Sequence, residues 1–250
     1  MRFENRQKGH NKLHRPAWKS DSHGVMMNLN TKAWFSLAAL AIVMGLLLFV
    51  PAWSMHYWHA WVYLLVFMGT SAMITLYLTR HDPALLERRL KGGPTAERRP
   101  VQRFIMLGAS IGFIALLVVP ALDFRFKWSA VPVAIVVMGN LLVVIGFYFI
   151  FRVYRENPYS SATIEIVEGQ RLVSTGPYAI VRHPMYASSL LYLIGTPLAL
   201  GSYWGLLGLG VMLPSLLWRL FDEERFLSKN LPGYGEYRKR VRHRLIPLVW

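Results

Sequence analysis

The sequence predicts an all-α membrane protein with about five to six transmembrane helices, a C-terminal helix hairpin among them. Three observations carry this. The 250-residue chain is 54% hydrophobic and 14% aromatic with only 16% charged residues, a mix too apolar for an ordinary soluble domain. Its apolar residues gather into runs of membrane-spanning length. Its 28 Lys and Arg fall between those runs. A net charge of +15 could point to nucleic acid, but no base-stacking aromatics are interleaved with the basic clusters, so no nucleic-acid partner is expected. The chain has no Cys, which removes disulfides and thiolate metal sites, and no metal site is expected.

Three regions follow along the chain. Residues 1–31 form a polar, basic arm without a signal-type apolar stretch; it is expected to be disordered, and Met26-Met27 offers a second start. Residues 32–150 hold four apolar runs, at 33–50, 57–78, 104–122 and 131–151. Between the second and third, residues 82–100 carry Gly92-Gly93-Pro94 and several arginines. That segment reads as a solvated linker able to meet anionic lipid headgroups. Residues 151–250 hold the fifth apolar run, 185–217, which is too long for one span and has Gly201-Ser202-Tyr203 near its middle. It reads as two antiparallel helices.

Orientation follows from the basic residues. The arm extended to Lys32, the 80–103 loop, the 152–182 segment and the tail from Arg219 hold all of them except Arg125 and Lys127. By the positive-inside rule both termini are cytoplasmic, in a bacterial inner membrane or its equivalent. Trp53, Tyr57, Trp58, Trp61 and Trp128 then fall near outer ends, where interfacial anchors sit.

Polar chemistry meets the membrane in the last region. The 152–182 connection is long for a plain linker; 163–168 alternates as a short extended piece would, and Gly169, Gly176 and Pro177 mark turns. Pro184 biases His183 away from helical dihedrals and suits the first position of the next helix. Arg182 and His183 thus precede a helix N-terminus, where free N–H groups, the helix dipole and a guanidinium favour an anion such as a carboxylate. The returning helix ends in "RLFDEERFL", with Arg219, Asp222, Glu223 and Glu224 together. Hairpin arms of about 16 residues span about 24 Å, so the basic and acidic clusters end at one depth. Arg219 and Glu223 are four apart and could simply pair along the helix, yet ionisable groups at membrane level are site candidates by default. A ligand suited to both clusters carries a carboxylate at one end and cationic or hydroxyl groups elsewhere.

"GPYAIVRHPMY", then a hairpin, then "RLFDEERFL" and "YGEYRKRVRHRLIP" resemble the isoprenylcysteine carboxyl methyltransferase family and its relatives, the phospholipid N-methyltransferases. The resemblance covers residues 157–247. It implies an integral-membrane methyltransferase with S-adenosyl-L-methionine on the cytosolic side and a lipophilic or prenylated acceptor entering from among the membrane lipids. By the same resemblance Gln170, Leu172, Val173, Tyr178, His183, Pro184, Tyr186 and Glu223 hold the cofactor, beside Arg182 as read above, and Arg219 faces the acceptor. An amine acceptor must lose a proton, for which Glu224 or a tyrosine is the candidate. The glutamate assignment carries a one-position alternative, Glu223 or Glu224. The chain departs from the family pattern at Ser188, where a Gly is usual. The tail reads as an amphipathic cap over the site or a membrane-surface helix.

Two other readings stay open. Membrane sterol and enone reductases, which use NADPH, resemble the same element, but with His-Pro-Asn-Tyr followed by a Gly and an acid; here Met185 and Ser188-Ser189 stand in those places. A transporter or scaffold would carry ionisable or helix-breaking residues near mid-membrane, and only Gly139-Asn140 fits that.

Overall fold

The computed structural model describes residues 21–93, 95–97, 99–247 and 249–250. Among them run eight α-helices: α1 (Asp21–Ala52), α2 (Trp58–His81), α3 (Pro83–Leu90), α4 (Pro100–Phe126), α5 (Val133–Glu156), α6 (Pro184–Ala199), α7 (Leu206–Asn230) and α8 (Tyr234–Arg240). Residues 1–20 of the basic arm lie outside the described residues. Helix α1 reaches back to Asp21, into the stretch read as irregular arm.

Among the described residues four helices are long and apolar enough to cross a membrane: α1 from Leu29, α2, α4 and α5. This is an integral membrane protein by that measure. The hairpin expected at 185–217 is present as α6 and α7, but neither meets the same standard. Helix α6 has only 16 residues with Pro197 inside it, about 24 Å of rise. Helix α7 runs on through Arg219, Asp222, Glu223, Glu224 and Arg225, so its second half is not membrane-like in composition.

Small residues set how closely the hairpin docks. A Cβ on Gly139 of α5 would run into the Ala199 backbone nitrogen and lie 2.8 Å from the Gly195 carbonyl oxygen. A Cβ on Gly195 would lie 2.6 Å from the Gly139 carbonyl oxygen in return. Helices α4 and α7 meet in the same manner, with Gly208 against Leu116 and Gly112 against Met212. In lipid, where no hydrophobic force joins apolar helices, such close backbone contact is what holds them.

The hairpin turn is pinned by polar groups. Gly201 takes φ +72°, a conformation natural to glycine. Tyr57 is buried rather than interfacial and donates to the Leu200 carbonyl at 2.6 Å, correcting its reading as an anchor; Trp53, Trp58, Trp61 and Trp128 are exposed as anchors should be. Asp123, 1% exposed, accepts from the Ser129 amide and from the Ser129 and Ser202 hydroxyls. Asn140 donates along its own helix to the Val136 carbonyl.

One expectation changes. The 82–100 segment is not a plain linker. Asp82 accepts from the Leu85 amide and Pro83 occupies the first turn, so α3 forms and buries Leu85 and Leu86. The 163–168 stretch has bends at 163–164, no regular assignment over 165–167 and a turn at 168, and pairs with no strand among the described residues.

Candidate active site

A cavity of about 460 Å³ lies between α4, α6 and α7, roofed by the segment after α5 and closed at one side by α8. Its inner end is apolar, lined by Ile105, Met106 and Ala109 of α4, Leu193 of α6, and Met212 and Leu216 of α7. Its other end is polar. Of the residues singled out from the sequence, Gln170, Leu172, Val173, Tyr178, Arg182, His183, Tyr186, Arg219 and Glu223 line it; Pro184 and Glu224 do not.

The two glutamates of the one-position alternative face different surroundings. Glu223 faces the cavity and accepts a hydrogen bond from the Tyr186 hydroxyl at 2.6 Å. Glu224, one residue or about 100° further round α7, points behind the wall. There it accepts from Arg182 Nε at 2.7 Å and Arg244 Nε at 3.1 Å, with His183 Nε2 at 3.8 Å. Burial raises this carboxyl, but His183, Arg244 and Arg182 together hold it down to about 2. As a salt-bridged carboxylate away from the cavity, Glu224 is not placed to take a proton from an acceptor.

Arg182 is correspondingly less free than its position before α6 suggested. Besides Glu224 it donates from Nη1 to the Val241 and Arg242 carbonyls, at 3.0 and 2.9 Å. The tail crosses here: the Arg182 and His183 amides donate to the His243 and Arg244 carbonyls. These bonds bring residues about sixty positions apart together at the cavity wall. His183 is 4% exposed, and its Nε2 makes no hydrogen bond among the described residues. Pro184 is the first residue of α6 and serves to start the helix.

Arg219 does not form the intrahelical pair with Glu223. It donates from Nη1 to Glu97 at 2.7 Å and to the Gln102 side-chain oxygen at 2.9 Å, and from Nη2 to the Ala162 carbonyl at 2.8 Å. Gln102 in turn donates to Asp222, which Arg99 also binds at 2.8 Å. Glu97 and Gln102, 4% and 0% exposed, were missed in the sequence. Both sit in or beside a run of arginines that reads as solvent-facing, and only the spacing of Gln102 on the α4 face could have flagged it.

Tyr178 is oriented by two contacts: Asn157 Nδ2 donates to its hydroxyl at 2.8 Å, and its carbonyl accepts from the Tyr237 hydroxyl at 2.7 Å. Burial pushes its phenol well up, so it stays protonated. Tyr234 and Tyr237 are buried with Leu172 and Leu231 beneath α8. Tyr234 and Tyr237 of the tail thus form part of the cavity wall.

Residues 134–233 match the phospholipid methyltransferase family. The match takes in α5, the roof segment, the hairpin and Glu223, and leaves out α3, α4 and the tail. A mouse protein, delta(14)-sterol reductase TM7SF2, is 32% identical over 142 residues, which is 48% of this chain and 31% of that one. The chain thus spans about a third of the length of this relative.

Proposed function

We propose that this protein is an integral-membrane S-adenosylmethionine-dependent methyltransferase that acts on a lipophilic or prenylated acceptor, carboxylate or amine, entering from the bilayer. The observation that carries the reading is one cavity whose polar end gathers 170–173, Tyr178, His183, Tyr186 and Glu223 and whose other end is apolar. Its volume of about 460 Å³ lies in the range of small-molecule sites. The residues fit the cofactor: His183 lines the polar end, its Nε2 3.8 Å from Glu224 and making no hydrogen bond among the described residues, and Glu223 is a carboxylate facing the cavity, suited to a cationic ligand.

When bound, the cofactor supplies an electrophilic methyl group on a sulfonium. The chain supplies alignment and exclusion of water, the main needs of an in-line displacement. Glu223, fixed by Tyr186, offsets positive charge at the polar end. Arg219, fixed by Glu97, Gln102 and the Ala162 carbonyl, stands where polar and apolar ends meet and orients the acceptor's reacting group. Met106, Met212 and Leu216 would hold an apolar tail. The positive-inside rule, applied to the basic loops, supports a cytoplasmic location for this end of the bundle and both termini, in a bacterial inner membrane or its equivalent.

A second reading, an NADPH-dependent reductase, is supported by the likeness to the mouse sterol reductase. Calorimetric titration of the detergent-purified protein with S-adenosylhomocysteine and, separately, NADPH decides between them. Saturable binding of the former alone supports methyl transfer. Binding of NADPH alone replaces it with reduction, and binding of neither sinks both.

A further inference from the structure

Four arginines line the cavity: Arg89, Arg171, Arg182 and Arg219. They are not equally available to a ligand. Arg182 is neutralised by Glu224 and Arg219 by Glu97. Arg171 is exposed and has no side-chain partner among the described residues, so nothing orients it. Arg89 differs from all three. It is partly buried on α3, its Nη1 donates to the Ser161 carbonyl at 2.8 Å, and its guanidinium lies 5.2 Å from the centre of the Tyr154 ring. Among the described residues no carboxylate lies within ion-pair distance of it; the acid on its own helix, Glu87, pairs with Lys91.

A guanidinium held by one carbonyl and one aromatic face, with its charge uncompensated, is a preorganised anion receptor. Its planar fork suits a carboxylate or a phosphate, and holding it in place beforehand reduces the entropy lost on binding. Its place in the cavity wall, beneath the roof that Ser161 belongs to, directs that charge at whatever occupies the polar end.

We propose that Arg89 is the anion-recognition residue of this cavity and binds the oxyanion of the cofactor. Resting on the methyltransferase reading, that oxyanion is the amino-acid carboxylate of S-adenosylmethionine; for a nicotinamide dinucleotide it would be a phosphate. Arg89 lies outside the matched segment 134–233. Cofactor recognition then depends on α3, a helix that the family match does not reach.

The test titrates S-adenosylhomocysteine, 5′-methylthioadenosine and NADPH into detergent-purified full-length protein, wild type and Arg89→Gln. Methylthioadenosine shares the adenosine thioether but lacks the amino-acid ammonium and carboxylate. Gln removes the charge and, being two bonds shorter, also the Nη1 contact to the Ser161 carbonyl; methylthioadenosine, which would feel a loosened roof equally, separates the two effects. The expected result is at least about a tenfold loss of affinity for S-adenosylhomocysteine with methylthioadenosine changed by less than about twofold. Arg88→Gln loosens the neighbouring contact to the Pro158 carbonyl and is expected to leave the ratio of the two affinities unchanged. Should Arg89→Gln fail to fold, Arg89→Lys is expected to keep most of that ratio because it keeps the charge.

Equal weakening of both adenosine ligands, an unchanged affinity for S-adenosylhomocysteine, the same ratio change in Arg88→Gln, or a ratio lost in Arg89→Lys overturns the proposal. If the wild type binds NADPH and not S-adenosylhomocysteine, the methyltransferase reading fails separately. Arg89 then stands on at least a tenfold loss of NADPH affinity in Arg89→Gln and falls without it. Binding of no cofactor by the wild type overturns both.

Discussion

Removing Glu97 tests the network that fixes Arg219. The Glu97 and Arg219 side chains are 4% and 11% exposed and 2.7 Å apart. Glu97→Ala leaves a guanidinium in a poorly solvated wall with only the Gln102 oxygen and the Ala162 carbonyl as partners. Breaking a buried ion pair on one side costs about 3–5 kcal/mol. Because two neutral acceptors remain and the cavity is open to Arg219, about 3 kcal/mol is expected. Removing both partners in Glu97→Ala/Arg219→Met leaves no stranded charge and should cost about 1 kcal/mol or less, a coupling of about 2 kcal/mol or more. Equilibrium unfolding in mixed micelles, followed by tryptophan fluorescence, measures all three variants and the Arg219→Met single. A Glu97→Ala cost within about 0.5 kcal/mol, the range of ordinary surface changes, or additive single and double effects, would refute the reasoning.

Other predictions concern separate parts of the molecule. Glu224 has its folded pKa lowered to about 2 from an ordinary 4.5, so its contribution to stability is complete above about pH 4.5 and is lost as pH falls towards 2. The stability gap between wild type and Glu224→Gln should therefore shrink through that window, and a gap constant from pH 6 to pH 2 would contradict it. Gly139→Leu cannot be accommodated against the Ala199 nitrogen and Gly195 carbonyl and should destabilise by well over the ~1–3 kcal/mol of ordinary overpacking, read as loss of monodisperse protein in detergent. Gly45→Leu, on α1 with no atom near its would-be Cβ, should be tolerated in the same assay. Glu223→Ala and His183→Ala should each abolish S-adenosylhomocysteine binding in calorimetry while the protein remains extractable and monodisperse. Retained binding in both would remove these residues from the site.

Much of the fold was legible because its signals are local. Apolar runs of spanning length give α1, α2, α4 and α5, and Pro184 and Gly201 bound α6 as a helix start and a turn do. Tyr57 and Asp123 could not be placed from composition, since a tyrosine near a helix end is as often an anchor as a core residue. What decided it was the Leu200 carbonyl, 143 residues away.

The candidate site was legible in the same proportion. The sequence alone determined which residue types gather at the two ends of the hairpin, because a prolyl helix start and three consecutive acids on a helix are short-range patterns. It could not tell Glu223 from Glu224, because two adjacent helical positions differ only by which neighbour each one meets, and those neighbours, Tyr186 and Arg182, arrive through the packing of α6 on α7. Nor could it find Glu97, Gln102 or Arg89, whose sequence surroundings are those of a solvated basic loop. Only tertiary structure decided that Arg219 and Arg182 are neutralised while Arg89 is not. Charge compensation depends on distances of a few ångströms between segments more than forty residues apart, and no local pattern in the chain encodes it.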